Sequence, residues 1–353
     1  MKKGKELHLV FIDLEKAYDR VPRQEVWRCM REKGVSEKYV RVVNDMYREA
    51  TTQVRSSVGT TEKFEVKVGL HQGSALSPYI FDMIMDVIVA EVKDEVPWSV
   101  LFADDIVLVA TSKEEAEMKL ELWRRALEER GLKISRAKTE YMWMNGVDQS
   151  ETISLQAAGV KRVKSFKYLG SCIADSGDMD AEVSHRIQAA WNNWRKTSGV
   201  LCDRRFNVKL KGKVYKSVVR PAMLYSCETW PMKRAQERRM EVAEMRMLRW
   251  MCGVTKRDRI RNNLIRGTVK VTEVSKKLQE RRLQWFGHVM RRGDDFPCKR
   301  VMNMEVPGTR RRGRPRMRWR DSVNRDMRER NVNEGLVHDR RRWRRLTTNS
   351  DPI

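Results

Sequence analysis

The sequence predicts an α+β module followed by a strongly basic, mostly helical half. Three observations lead there. Over residues 1–174 the elements read strand, two helices, hairpin, helix, hairpin, helix, strands, which is not a βαβ alternation. Lysines and arginines number 28 against 30 acids over residues 1–180, but 45 against 18 over residues 181–353. Neither G-x-G-x-x-G nor G-x-x-x-x-G-K-[ST] occurs, so the usual nucleotide-binding helix loops are excluded.

Residues 9–14, LVFIDL, read as a buried strand ending in a carboxylate. Arg23–Lys33 and Glu37–Glu49 carry apolar residues at helical spacing, with Gly34 as a stop and Ser36 as an N-cap. Thr52–Val58 and Phe64–Val68 alternate like two antiparallel strands across a turn near Gly59. In GLHQGSALSP, Pro78 suits the first turn of an apolar helix reaching about Val92, capped by Ser77, with His71 in the loop. Trp98–Ala103 and Ile106–Ala110 form a hairpin with Asp104 and Asp105 at its bend, and Lys113–Arg130 a helix closed by Gly131. Thr139–Met144 and Ser165–Ile173 are strand-like.

The second half reads as helices over Asp180–Thr197, Lys209–Leu224, Lys233–Cys252 and Thr272–Met290. Pro307–Arg320, mostly arginine and glycine, is expected to be poorly ordered alone. Most tryptophans here sit at helical spacing and are expected in packing. Trp319 and Trp343, amid arginines, are the candidates to stack on bases.

An apolar content of 41% excludes a wholly disordered chain. The longest apolar run, Tyr79–Ala90, is broken by Asp82 and Asp86, so no bilayer span and no membrane partner are expected. The basic start gives way at Asp13 too soon for a signal peptide. Six cysteines without a C-x-x-C pair read as small hydrophobes in a reducing compartment, with no zinc site.

Asp13 ends one strand, and Asp104 and Asp105 tip a hairpin far along the chain. If that hairpin packs beside the Asp13 strand, the three acids converge, and oxygen-only ligands at a sheet edge suit Mg²⁺. Residue type alone leaves a plain acidic turn open as the other reading.

FIDLEKAYDRVPR, GLHQGSALSPYIFDMIMDVI, LFADDIVLVA, GLKISRAKTEYM and FKYLGS follow one another in this order. Together they resemble the palm motifs of reverse transcriptases of the non-long-terminal-repeat (LINE-like) retrotransposon family. The likeness covers about residues 7–173 and continues more loosely to about Arg292. It implies a palm with part of the fingers over residues 1–174, built on a ferredoxin-like antiparallel sheet. A helical thumb over 175–260 and a basic, partly disordered nucleic-acid-binding extension over 261–353 would follow.

By the same resemblance Asp13, Asp104 and Asp105 hold two Mg²⁺ ions (or Mn²⁺), with the Leu14 carbonyl a weaker ligand. Tyr18 is the steric gate against ribonucleotides, Gly73 lets the backbone approach the incoming nucleotide, and Gln72 hydrogen-bonds near the template base. Lys138 protonates the leaving pyrophosphate, and Tyr168, Leu169 and Gly170 grip the primer backbone. The implied activity is RNA-directed DNA synthesis from dNTPs on an RNA template, extending a DNA primer or nicked target DNA. The chain begins almost at the first catalytic strand, so an N-terminally truncated copy lacking fingers and endonuclease is expected. The alternative is a catalytically silent RNA- or DNA-binding protein of retrotransposon descent. In RRRGRPRMRWR, the arginines Arg312, Arg314, Arg316 and Arg318 are candidate nucleic-acid contacts. They suit a minor-groove arm, a nuclear localisation signal or generic phosphate contacts, and the expected location is intracellular, the nucleus first with the cytoplasm as the alternative.

Overall fold

The computed structural model describes residues 6–144, 151–304 and 317–352. They divide into two compact units: Met1–Leu169 with Asp175–Gly177, and Gly170–Ala174 with Asp178–Ile353.

The first unit is built on a five-stranded sheet. Its central strand β1 (Leu7–Ile12) is flanked by hairpin β2 (Ser99–Phe102) and β3 (Asp105–Ala110) on one side. On the other side lie β4 (Glu140–Met144) and the short edge strand β5 (Lys161–Arg162). β1 runs antiparallel to β3, with His8 opposite Ala110 and Ile12 opposite Ile106, and antiparallel to β4. The sheet is antiparallel as expected, with one parallel pairing at its edge, where β5 lies beside β4.

Alternation across β1 explains why the strand is apolar throughout. Val10 and Ile12 join one core with Ile106, Leu108 and Tyr141, under helix α3 (Ser77–Ile88) and helix α4 (Lys113–Glu128). Each such aliphatic or aromatic side chain contributes about 1.5–3 kcal/mol by burial. On the opposite face Phe11 is covered by Phe166, the rings stacked with centroids 3.8 Å apart. Helices α1 (Arg23–Glu32) and α2 (Glu37–Tyr47) complete this core.

Several local expectations shift. The hairpin after α2 consists of two nested two-residue ladders, Thr51–Thr52 with Phe64–Glu65 and Arg55–Ser56 with Gly59–Thr60, all facing solvent. Ser36 makes no side-chain cap, and Ser77 does not cap α3, because its hydroxyl donates to the His71 carbonyl (2.6 Å). Ser112 does cap α4, accepting from Glu115 N–H (3.1 Å) while Glu115 accepts from Thr111 N–H (2.8 Å). Gly131 closes α4 at φ +85°, where a Cβ would also meet Pro22 Cγ at 2.6 Å, so no other residue fits.

The second unit is helical. α5 (Asp180–Lys196), the stretch 208–223, α7 (Arg234–Met251), α8 (Asn262–Val269) and the first half of α9 (Val274–Met290) share one core. We label the stretch 208–223 α6; it contains a π-helical turn at Tyr215–Val219. This core runs from Val183 to Leu278 and so crosses residue 260, where the sequence reading put a boundary. The second half of α9 packs Leu283 and Phe286 against α10 (Trp319–Glu329) and α11 (Arg340–Thr347).

The described part of residues 261–353 is mostly helical, while 307–316, the bulk of the stretch expected to be poorly ordered alone, lies outside the described residues. The order of the described part rests on buried ion pairs that look like surface charge in a sequence. Arg282, 1% exposed, binds Asp326 at 2.6 Å, and Asp351 binds Arg220 at 3.0 Å. The stacking expectation for Trp343 and Trp319 is corrected. Trp343 is buried and donates its indole N–H to the Leu283 carbonyl (3.1 Å), while Trp319 donates to the Glu228 carbonyl (2.7 Å) beside Phe286. Both are structural.

Cys29 and Cys227 are buried hydrophobes, their thiols pushed up to about 11 and about 12 by burial. Cys202 and Cys298 are exposed, and all six cysteines are free. Among the described residues no helix is long and apolar enough to cross a membrane.

Candidate active site

The site is assembled by sheet register. Ile12 lies opposite Ile106, so one further step brings Asp13, at the end of β1, beside Asp105, the first residue of β3. Phe102 pairs with Asp105, leaving Ala103 and Asp104 as a two-residue turn in which Ala103 takes φ +53°. Asp105 is therefore a strand residue and not part of the bend. Asp13 is pinned from behind as well, its carbonyl accepting from Ser135 N–H at 2.8 Å.

Asp13, Asp105 and Lys138 line one cavity of about 370 Å³, with Phe11, Lys161 and Phe166 among its walls. Lys138 Nζ stands 3.3 Å from Asp13 Oδ2. That oxygen is nevertheless buried without a hydrogen-bond partner, since the ammonium lies off the required geometry. The Asp105 carboxyl is raised, first by desolvation and then by the charges of Asp104 and Asp13. Three acids thus share one field, although Asp104 is not in the cavity wall.

Among the described residues no group of three His, Cys, Asp or Glu side chains is already gathered around a metal position. The expected convergence is so far a pair, Asp13 with Asp105, and a neighbour. Mg²⁺ is commonly held by one or two carboxylates, with waters and substrate phosphates completing its shell. A buried carboxylate oxygen lacking a donor, in a cluster whose charges repel, fits such an ion.

Tyr18 is half-buried and stacks on Phe81 of α3 with centroids 4.6 Å apart. Its phenol is raised by burial, then by Asp104 and Asp82, which places the ring by the acidic turn. Gln72 donates to Asp19 Oδ1 at 2.8 Å, and Leu70 N–H to the Tyr18 carbonyl at 2.7 Å. The glutamine loop is thus clamped onto the segment following β1. Gly73 takes φ +85° with open space where a Cβ would stand.

Tyr168 has a buried hydroxyl with no partner, its phenol pushed up to about 12 by burial and then by Asp105. Leu169 takes φ +47° and closes the first unit, and Gly170 opens the second. Among the arginine candidates, Arg312, Arg314 and Arg316 lie outside the described residues. Arg318 is the exposed N-cap of α10, its N–H donating to Asp321 at 2.9 Å.

Sequence reading missed Phe166 and Lys161 in the cavity wall. The FKYLGS motif contained the signal for Phe166. Nothing local marks Lys161, which is brought in by the parallel edge strand.

Residues 1–173 match the family model described as reverse transcriptase (RNA-dependent DNA polymerase). A transposon-derived protein of Caenorhabditis elegans is 29% identical over 272 residues, covering 70% of this chain and 96% of that protein. That alignment is longer than the matched domain and so runs into the helical unit. The Pol polyprotein of type-1 retrotransposable element R2 of Popillia japonica is 31% identical over 117 residues, 30% of this chain and 19% of that protein. The Pol polyprotein of type-2 element R2DM of Drosophila melanogaster is 25% identical over 187 residues, 48% of this chain and 18% of that one. The chain spans nearly all of the nematode relative but less than a fifth of either Pol polyprotein.

Proposed function

We propose, on the premise that residues 1–173 belong to the reverse transcriptase family and are akin to retrotransposon Pol proteins, that this chain polymerises DNA on an RNA template. The carrying observation is the buried Asp13 Oδ2, which accepts no hydrogen bond and is faced by the Lys138 ammonium, set by strand register beside Asp105.

Reverse transcriptases use divalent metal ions. Two Mg²⁺ ions, when bound, would supply activation of the attacking hydroxyl and neutralisation of the triphosphate. Asp13 and Asp105, with Asp104 at the turn, would hold them. The primer 3′-oxygen forms a bond to the α-phosphorus of a dNTP as the bond to the bridging oxygen breaks and pyrophosphate leaves. Lys138, 71% exposed on its side chain, would turn from Asp13 once a cation takes that partner and donate a proton to the pyrophosphate. Tyr18, held flat on Phe81, would exclude a 2′-hydroxyl. Gln72 and Gly73 would border the base pair being formed, and Tyr168–Gly170 the primer. Most of the rate enhancement in such a site comes from positioning and charge compensation.

The test is dNTP incorporation by the purified chain on a primed RNA template with Mg²⁺, beside Asp104→Asn. The variant is expected to lose at least about a hundred-fold in rate. Equal incorporation by the two proteins overturns the reading. It would leave a nucleic-acid-binding protein held by the basic half.

A further inference from the structure

Within the second unit, α5, α7 and the loop after α7 enclose an open groove of about 1030 Å³. Three indoles meet there: Trp191 and Trp194 at 5.5 Å, Trp191 and Trp250 at 5.8 Å, and Trp194 and Trp250 at 5.2 Å between centroids. They are not equivalent. Trp194 is buried and Trp191 half-buried, whereas Trp250 is 60% exposed. The inner pair braces the outer ring and leaves much of it to solvent. The sequence reading placed all three in packing, and Trp250 departs from it.

Charge follows the same edge. Arg238, Val242, Arg246 and Trp250 recur every four residues along α7 and are all exposed, forming one stripe. The side chains of Arg238, Arg246 and Lys256 have no ion pair or hydrogen bond among the described residues. Other arginines of the wall are already engaged: Arg266 binds Glu273 at 2.6 Å, and Arg249 binds the Ile260 carbonyl at 2.9 Å. Of the two acids of the wall, Glu273 is held by Arg266, and Glu241 has no ion pair among the described residues. A further demand comes from Trp194, whose buried indole N–H has no acceptor.

We infer that this groove binds an unpaired nucleic-acid strand, with a base stacked on Trp250 and flanking phosphates on Arg238, Arg246 and Lys256. An exposed braced indole offers a π-face to any base, and free cations beside it suit a backbone. A duplex keeps its base faces covered and can use only the cations. The groove is at the upper limit of small-molecule pockets and open, which suits a chain segment better than an enclosed ligand. The inference stands apart from the polymerase reading, because none of its residues belongs to the acidic site.

Fluorescence anisotropy of the full chain with labelled oligo(U), oligo(dT) and a duplex, each of about 12 nucleotides, tests it. Trp250→Ala is expected to weaken single-strand binding at least about five-fold while duplex affinity changes less than about two-fold. Trp250→Phe should restore most of the loss. Arg238→Gln and Arg246→Gln should each lower the salt slope of single-strand binding by about 0.7. The tighter of the ribo and deoxy arms names the strand that uses the groove. Unchanged single-strand affinity in Trp250→Ala, or equal loss on single strand and duplex, overturns the proposal. Far-ultraviolet circular dichroism of each variant separates either result from unfolding. Asp104→Asn should leave every one of these affinities as it was, so the two readings fail separately.

Discussion

The acidic edge of the first unit and the arginine-rich interior of the second use charge in opposite ways. At the edge, Asp13, Asp104 and Asp105 repel one another, and Asp13 Oδ2 lacks a hydrogen-bond donor. In the second unit Arg282, Arg220 and Arg266 are buried, yet each meets a carboxylate: Asp326, Asp351 and Glu244. Like charges set close together, with only the exposed Lys138 ammonium facing Asp13, are held against the fold's own preference and mark a place for a ligand. Paired charge, however abundant, is architecture. The second unit adds a third group, the exposed cations beside Trp250, which have no partner among the described residues and no burial cost.

The contrast is broken most severely by cutting an interior pair. Arg282→Ala removes the 2.6 Å partner of Asp326, 2% exposed, and leaves it only the more distant Arg325 at 3.8 Å, which also holds Glu237. A cost of about 3–5 kcal/mol is expected in denaturant unfolding followed by helical circular dichroism. A loss below about 1 kcal/mol would make the pair an ornament of the surface and dissolve the distinction.

Asp351 sharpens the comparison through pH. Burial alone would raise its carboxyl, but the Thr272 N–H (2.8 Å) and then Arg220 outweigh that and hold it below the usual range. The folded value lies under the unfolded one, so its stabilisation is complete above about pH 4 and is lost as pH falls through the folded value. Asp351→Ala should cost about 1.5–3 kcal/mol at neutral pH and much less near pH 2, read from urea midpoints. A loss independent of pH would remove the ion pair as its cause.

The smallest effect has the reverse sign. Asp105 is raised by desolvation and by Asp104 and Asp13, so its ionised form is disfavoured in the folded state, and stability is recovered as pH falls through that raised value. Asp105→Asn should therefore raise the melting temperature at neutral pH by about 1–2 °C even as it abolishes incorporation. A lower melting temperature would mean that the carboxylate supports the fold.

Much of the first unit was legible from sequence because its information is local. Pro78 falls in the first turn of its helix, the hairpin ladder runs into Asp105, and Ser112 and Gly131 bracket α4. Asp13, Tyr18, Gln72 and Lys138 could be named in advance because each belongs to a short motif. Phe166 and Lys161 reach the cavity through pairings that no neighbour in the chain dictates.

The amino-acid order alone determined the apolar strand that stops at Asp13, the acidic hairpin and the division between a near-neutral and a basic half. Each depends on side chains within a few positions of one another. Only the folded chain decided which arginines are spoken for and which tryptophan stays in water. Helical periodicity tells which residues share a face but not what that face meets. Arg282 and Arg246 read alike along the chain and differ because Asp326 arrives beside the first, while no acid among the described residues pairs with the second.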